Sequence, residues 1–209
     1  MTALITFCVK DKSRIVLVGS SEGVRMKGIV FNLLEGCVTE QYGEDMWDDL
    51  LEEARLDGAY TSLGNYADAD FVALVNAASK ALALPTGDLQ RWFGKSAMPS
   101  LARLYPEFFE KHTRTSGFVL TLNDIIHPEV RKLYPGADVP NFRFDVESDT
   151  KITMGYESAR KMCSFAEGLI EGAAAHFGEQ VVIEQPTCMK HGAEECLLVC
   201  SFARASHDG

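Results

Sequence analysis

The spacing of apolar residues changes once along this chain, near Pro140, and that change limits what it can fold into. Between Met26 and Pro140 apolar residues recur every three or four positions, as in helices that bury one stripe. Helices are expected at Met26–Glu40, Glu44–Ala54, Asp68–Ala83, Thr86–Ala97, Leu101–Lys111 and Phe118–Tyr134. Beyond Pro140 the period falls to two, the alternation of half-buried strands. Phe142–Val146 and Lys151–Tyr156 read as strands joined through Glu147-Ser148-Asp149-Thr150. An amphipathic helix is expected at Ala159–Phe177, with Met162, Ala166, Leu169, Ala173 and Phe177 on one stripe and Gly178 as its left-handed terminator. Val181–Glu184 and Cys196–Phe202 add two strands. The expected class is α+β: a helical N-terminal subdomain over 26–85, then a subdomain over 86–204 with a small antiparallel sheet and helices.

Residues 1–25 stand apart. Ala3–Val9 and Arg14–Val18 are β-prone runs around Lys10-Asp11-Lys12-Ser13, followed by a flexible stretch from Gly19 to Gly23. They read as a loosely attached N-terminal extension. Met1–Val9 lacks a basic leader and a small-residue cleavage site, and apolar runs fall far short of the ~20 residues of a membrane span. A cytoplasmic location is expected. The net charge of −10 argues against nucleic acid or an anionic membrane as partner, since phosphate binding needs a clustered basic surface. No nucleophile elbow, phosphate-binding loop or dinucleotide fingerprint is present, and Glu52-Glu53 and Glu194-Glu195 read as solvated carboxylates. The chain is therefore not expected to be an enzyme.

Two groups of residues carry other chemistry. His127 lies in an otherwise apolar helical pattern, where a neutral imidazole can ligate iron while its other nitrogen is held by an acceptor. Strand alternation would put Tyr156, Ser158 and Arg160 on one face, offering two hydroxyls and a guanidinium suited to carboxylates. Ser158 also stands where it could cap the next helix. Taken singly, each has a bland reading: a core histidine, a cap beside a surface arginine.

Together they resemble the haem nitric oxide/oxygen-binding (H-NOX) family. The resemblance rests on Met26-Lys27-Gly28-Ile29-Val30-Phe31-Asn32, on Ile126-His127 within Asp124–Tyr134, on Tyr156-x-Ser158-x-Arg160, and on Ala166-Glu167-Gly168-Leu169-Ile170-Glu171-Gly172. It implies haem b (iron protoporphyrin IX) between the two subdomains, with His127 as axial ligand and Tyr156, Ser158 and Arg160 on the propionates. Pro140 matches a family proline that presses on the porphyrin. Val30, Leu34, Ala97, Met98, Leu101, Phe165 and Leu169 are the other implied pocket residues. Members that hold oxygen use a distal tyrosine nine residues beyond the motif's first tyrosine; here Phe165 stands there, and Leu34 and Ala97 also lack donors. The resemblance thus implies a sensor for nitric oxide over oxygen, in which nitric oxide weakens the iron–His127 bond and the His127 helix shifts. It implies a separate signalling partner, such as a histidine kinase or a cyclic-di-GMP enzyme.

Cys163, Cys188 and Cys196 form the second group, with His191 between the last two. Six cysteines in a cytoplasmic chain of this size do not read as a disulfide framework. Zinc wants four nitrogen or sulfur ligands. The cysteine pattern resembles family members with zinc or a redox switch there, but their fourth ligand, a histidine, is Gln185 here. His191 or Cys200 are the substitutes on offer, and structural zinc, a thiol redox site and buried free cysteines remain three alternatives. Gly168 through Cys196 also resembles the 4-vinyl reductase-type small-molecule-binding domain. Under that alternative the ligand is apolar, no haem is bound and His127 is structural.

Overall fold

The computed structural model describes residues 25–205, so the hairpin expected within Ala3–Val18 lies outside the described residues. A short strand, β1 (Arg25–Lys27), pairs antiparallel with β2 (Asn65–Ala67). The first helix consequently starts at Gly28, two residues later than its apolar pattern. Helices α1 (Gly28–Tyr42), α2 (Glu44–Ala54) and α3 (Asp68–Leu82) follow the expected pattern closely. Their stripes close over one apolar cluster containing Phe31, Leu34, Trp47, Phe71 and Leu74, which also takes Phe93 and Ala97 from α4 (Thr86–Leu104).

The helix expected at Thr86–Ala97 runs on through Pro99 to Leu104. It takes in the start of the one expected at Leu101–Lys111, whose remainder is only a short 3-10 turn at Pro106–Phe108 and non-helical chain. Proline's fixed φ is compatible with helix, and what it costs is one backbone hydrogen bond and some straightness. Burial against α7 (Cys163–His176) repays that cost, because α4 and α7 make the most extensive helix contact in the fold. They touch backbone to backbone. A β-carbon on Gly168 would lie 1.9 Å from the Arg91 carbonyl oxygen, and one on Gly94 would lie 2.3 Å from that of Phe165. Arg91 spans the crossing to Glu171 at 2.5 Å and Glu167 at 3.3 Å.

The helix expected over Phe118–Tyr134 is broken into three pieces. α5 (Thr115–Val119) ends early, Leu122–Ile126 winds as a wide π-turn, and α6 (His127–Leu133) follows. Pro128 has no N–H for the Asp124 carbonyl and its ring crowds that oxygen, so the chain opens to the wider turn. The sheet is antiparallel in the order β3–β4–β6–β5, from β3 (Asn141–Ser148), β4 (Lys151–Glu157), β5 (Glu179–Thr187) and β6 (Cys196–Arg204). Gly178 lies just beyond α7 with φ +66°, the expected left-handed terminator. A second apolar cluster fills the space between α7 and this sheet, including Met98, Phe118, Phe142, Ile152, Met154 and Leu198. Together these elements make an α+β fold. No helix among the described residues is long and apolar enough to cross a membrane.

Candidate haem site

His127 opens α6 directly after the π-turn. Its ring stacks on Phe142, centroids 5.8 Å apart, and Phe142 in turn meets Tyr156 edge-on at 5.6 Å. Burial pushes the imidazole pKa down to about 4, and the Arg131 guanidinium one turn later adds to the shift. A hydrogen bond to the backbone of Pro140 opposes it; proline has no N–H, so the carbonyl is the acceptor. The imidazole is therefore neutral at pH 7. Its Nδ1 is buried and has no hydrogen-bond partner. A neutral ring with one nitrogen on a backbone carbonyl and the other free is the state in which histidine ligates metal.

The turn bearing this histidine is anchored at its base. Asn123 donates through Nδ2 to the Phe142 carbonyl at 2.5 Å and accepts the Phe142 N–H at 3.3 Å. Nothing in the sequence pattern singled out Asn123, because its partner is nineteen residues away on β3.

Tyr156, Ser158 and Arg160 come together, though not on one strand face. β4 stops at Glu157, and Ser158–Lys161 form a turn in which Lys161 has φ +52°. Ser158 does not cap α7 either: the helix begins at Cys163, and the Ser158 hydroxyl accepts the Arg160 N–H at 3.3 Å instead. The Tyr156 hydroxyl accepts the Met162 N–H at 3.1 Å, leaving its own proton to donate. Arg160 joins distant parts of the chain. Nε reaches Asp68 at 2.8 Å, Nη1 the Asp138 carbonyl at 2.6 Å, and Nη2 the Arg25 carbonyl at 2.9 Å. Asp68 and Asp138 escaped the sequence reading; the only signal was that Asp68 opens α3 as an acidic first-turn residue.

The remaining predicted pocket residues divide between the two apolar clusters. Leu34 and Ala97 are buried in the first, with Val30 and Phe165 packed against it. Met98 belongs to the second, with Leu101 and Leu169 beside it. Phe165 stacks on Phe93 at 4.9 Å. A small apolar cavity of about 20 Å³ between α1, α2, α3 and α4 is lined by Leu34 and Phe93 among others. None of Val30, Leu34, Ala97 and Phe165 carries a hydrogen-bond donor on its side chain.

Cys163, at the start of α7, meets Cys188 and Cys196 in a buried trio. Sulfurs are 3.7 Å apart for Cys163–Cys188 and 3.8 Å for Cys188–Cys196. His191 is exposed and Cys200 bonds to the Leu198 carbonyl, so neither joins the cluster. The Met189 N–H donates to the Cys196 sulfur at 3.2 Å. Burial works to raise the Cys188 pKa, but the Lys190 N–H, the neighbouring thiols and the Lys190 charge bring it below the ordinary thiol value. Burial and the surrounding sulfurs push Cys196 up to about 12. Gln185 keeps a buried Nε2 without a partner.

A half-buried histidine with an unpartnered ring nitrogen on a short helix, near a Tyr-Ser-Arg turn and apolar side chains without donors, makes a candidate haem site. The comparisons agree: the profile of the Haem-NO-binding family matches residues 27–185, and the chain belongs to that family of haem-based gas sensors. It is similar to an H-NOX protein from S. oneidensis solved in the Fe(II)NO state, with 34% identity over 86% of this chain and 100% of that one, TM-score 0.80. The unliganded Fe(II) H-NOX protein from K. algicida is 25% identical over 88% of this chain and 100% of its own, TM-score 0.78. The IWP-051-bound H-NOX from Shewanella woodyi, in the Fe(II)CO state, is 32% identical over 88% and 97%, TM-score 0.73. The 4-vinyl reductase alternative is not favoured by these matches.

Proposed function

We propose that this chain is a haem-based sensor that binds nitric oxide in preference to oxygen and regulates a separate signalling protein, without catalysing a reaction itself. One observation carries the reading: His127 is neutral, half-buried and left with an unpartnered, buried Nδ1. Ferrous haem b held there would supply an iron with one open position for a diatomic gas. His127 would bind its iron, and Tyr156, Ser158 and Arg160 would hold the propionates. Arg160 already donates to Asp68, Asp138 and the Arg25 carbonyl, which leaves the second N–H of Nη2 for a propionate unless Asp68 or Asp138 gives way.

Selectivity would come from the other wall. Bound oxygen carries partial negative charge and is stabilised by a hydrogen-bond donor, whereas nitric oxide bonds strongly without one. Val30, Leu34, Ala97 and Phe165 offer none. His127 would carry the signal, because it is the first residue of α6 and whatever its imidazole bonds to acts on that helix. A histidine kinase or a cyclic-di-GMP enzyme is the kind of partner proposed, with the protein acting in the cytoplasm. The cysteine trio would be a secondary site, offering zinc three of its four ligands. Gln185 in the family histidine's place leaves the thiol redox role as its competitor.

The test is an absorption spectrum of the ferrous protein in air and after adding nitric oxide, beside His127→Ala and Phe165→Tyr, with zinc assayed on the same preparation. We expect a haem Soret band that is stable in air and shifts with nitric oxide. Exogenous imidazole should restore ligation in His127→Ala, and Phe165→Tyr should gain oxygen binding. A wild-type protein that forms a stable oxygen complex, or that takes up no haem, overturns the reading.

A further inference from the structure

The tripeptide Leu-Tyr-Pro occurs twice, as Leu104-Tyr105-Pro106 and Leu133-Tyr134-Pro135. Each copy ends a helix. Proline disfavours helical geometry in the residue before it. Accordingly Tyr105 leaves α4 at φ −135°, ψ 59°, and Tyr134 leaves α6 at φ −125°, ψ 78°. The two tyrosines thus leave their helices in similar backbone conformations, and their hydroxyls are hydrogen-bonded to one another.

Both tyrosines are held before they meet. The Tyr105 N–H donates to the Leu101 carbonyl at 2.9 Å, and its ring stacks on Phe108 at 5.9 Å. The Tyr134 N–H donates to Val130 at 2.8 Å, and its carbonyl accepts from Ala137 at 2.9 Å. α6 itself has no buried residue, and its main contact is with the π-turn that precedes it. The segment from Asn123 to Phe142 is held at its base by the Asn123–Phe142 pair and buried Ile126, and near its return by Arg160 on Asp138. Beyond that base, the Tyr134 hydroxyl ties its far end to α4.

We infer that Tyr105 and Tyr134 form a clasp that positions α6, and through it His127, against the helix carrying Ala97, Met98 and Leu101. They are positioning residues, since neither touches the imidazole. Breaking the clasp frees the C-terminal end of α6 while the Asn123–Phe142 and Arg160–Asp138 contacts stay. The part of this that concerns haem rests on the proposed sensor role; the clasp itself does not.

The test uses Tyr105→Phe, Tyr134→Phe and the double variant, which keep both rings. Amide hydrogen exchange over residues 130–134 of the haem-free protein should speed up roughly two- to tenfold, the range expected for one net hydrogen bond. Exchange in α7 should stay at the wild-type rate. Because one shared bond is lost in every case, the double variant should match the singles. In haem-loaded protein the rate of the spectral change produced by nitric oxide should shift by a similar factor. Unchanged exchange in α6, or effects of the two substitutions that add, would overturn the clasp. A protein that takes up no haem but shows the exchange pattern would keep the clasp and refute the sensor.

Discussion

α4 and α6 meet at their C-terminal ends, yet they are set into the molecule in opposite ways. α4 is nineteen residues long, buries Leu89, Phe93, Gly94, Ala97 and Met98, and lies backbone to backbone on α7. α6 is seven residues long and buries none. Apolar burial and close packing hold the first, at roughly 25 cal/mol per Å² of surface removed from water. The polar contacts Asn123–Phe142 and Tyr134–Tyr105, the stacking of His127 on Phe142 and the packing of half-buried Val130 hold the second. A helix held by so few contacts moves at a lower cost than one set in a close-packed core, which does not move alone. Ala97, Met98 and Leu101 sit on the fixed element and His127 on the loose one. This is the arrangement a sensor needs if ligand chemistry is to become motion.

The contrast can be broken most forcefully at the α4–α7 crossing. Gly168→Ala puts a methyl where the Arg91 carbonyl already stands, and should cost about 3 kcal/mol of stability in urea unfolding. A cost near zero would mean the two helices can slide apart, and α4 would lose its claim to be the fixed element.

A smaller effect is expected from acid. The unfolded-state pKa of His127 lies near 6.5 and its folded-state value is about 4. The unfolded chain therefore binds the extra proton between these values, and folding stability falls as pH drops through that window and levels off below it. For a half-buried ring the loss is at most about 2 kcal/mol. In His127→Gln this part of the pH dependence should vanish from haem-free protein. A profile unchanged by the substitution would show that the imidazole is not held neutral by burial. Glu179 adds a lower window. Burial raises its pKa, but bonds from the Thr115 N–H and from Arg114 outweigh that and hold it below the usual carboxylate value, so its contribution is lost as pH falls through that lowered pKa.

Least of all should come from the solvent side of α6. Lys132→Ala removes an exposed ion pair with Glu129 and should change stability by less than about 0.5 kcal/mol. An effect above ~1 kcal/mol would place α6 among the packed elements after all.

Much of the fold was legible because it depends on neighbours in sequence. The stripes of α1, α2 and α3, the alternation of β4 and β6, and Gly178 after α7 each follow from residues within a few positions. Helix α4 was misread at Pro99 for the same reason: locally a proline ends a helix, and only contact with α7 keeps this one going. The broken helix at Leu120 to Ile126 has its cause in Pro128, a kink or stop signal that does not say which of the two it will be. In the site, His127 and the Tyr156–Arg160 turn were found from their motifs, and the cysteine trio from its spacing. Asn123, Asp68, Asp138 and the tyrosine clasp were not, since each acts on a partner nineteen or more residues away.

By itself the sequence determined the periods, the stops, and the chemical groups on offer: one histidine in an apolar stretch, a hydroxyl-free set of pocket residues, three cysteines. Tertiary structure decided which of those groups became neutral, unpartnered or adjacent. Burial sets the state of the His127 imidazole, and a backbone crossing at Gly94 sets where Phe165 stands. Local periodicity is fixed by bonds along the chain, but desolvation and long-range contact arise only once distant segments close over one another.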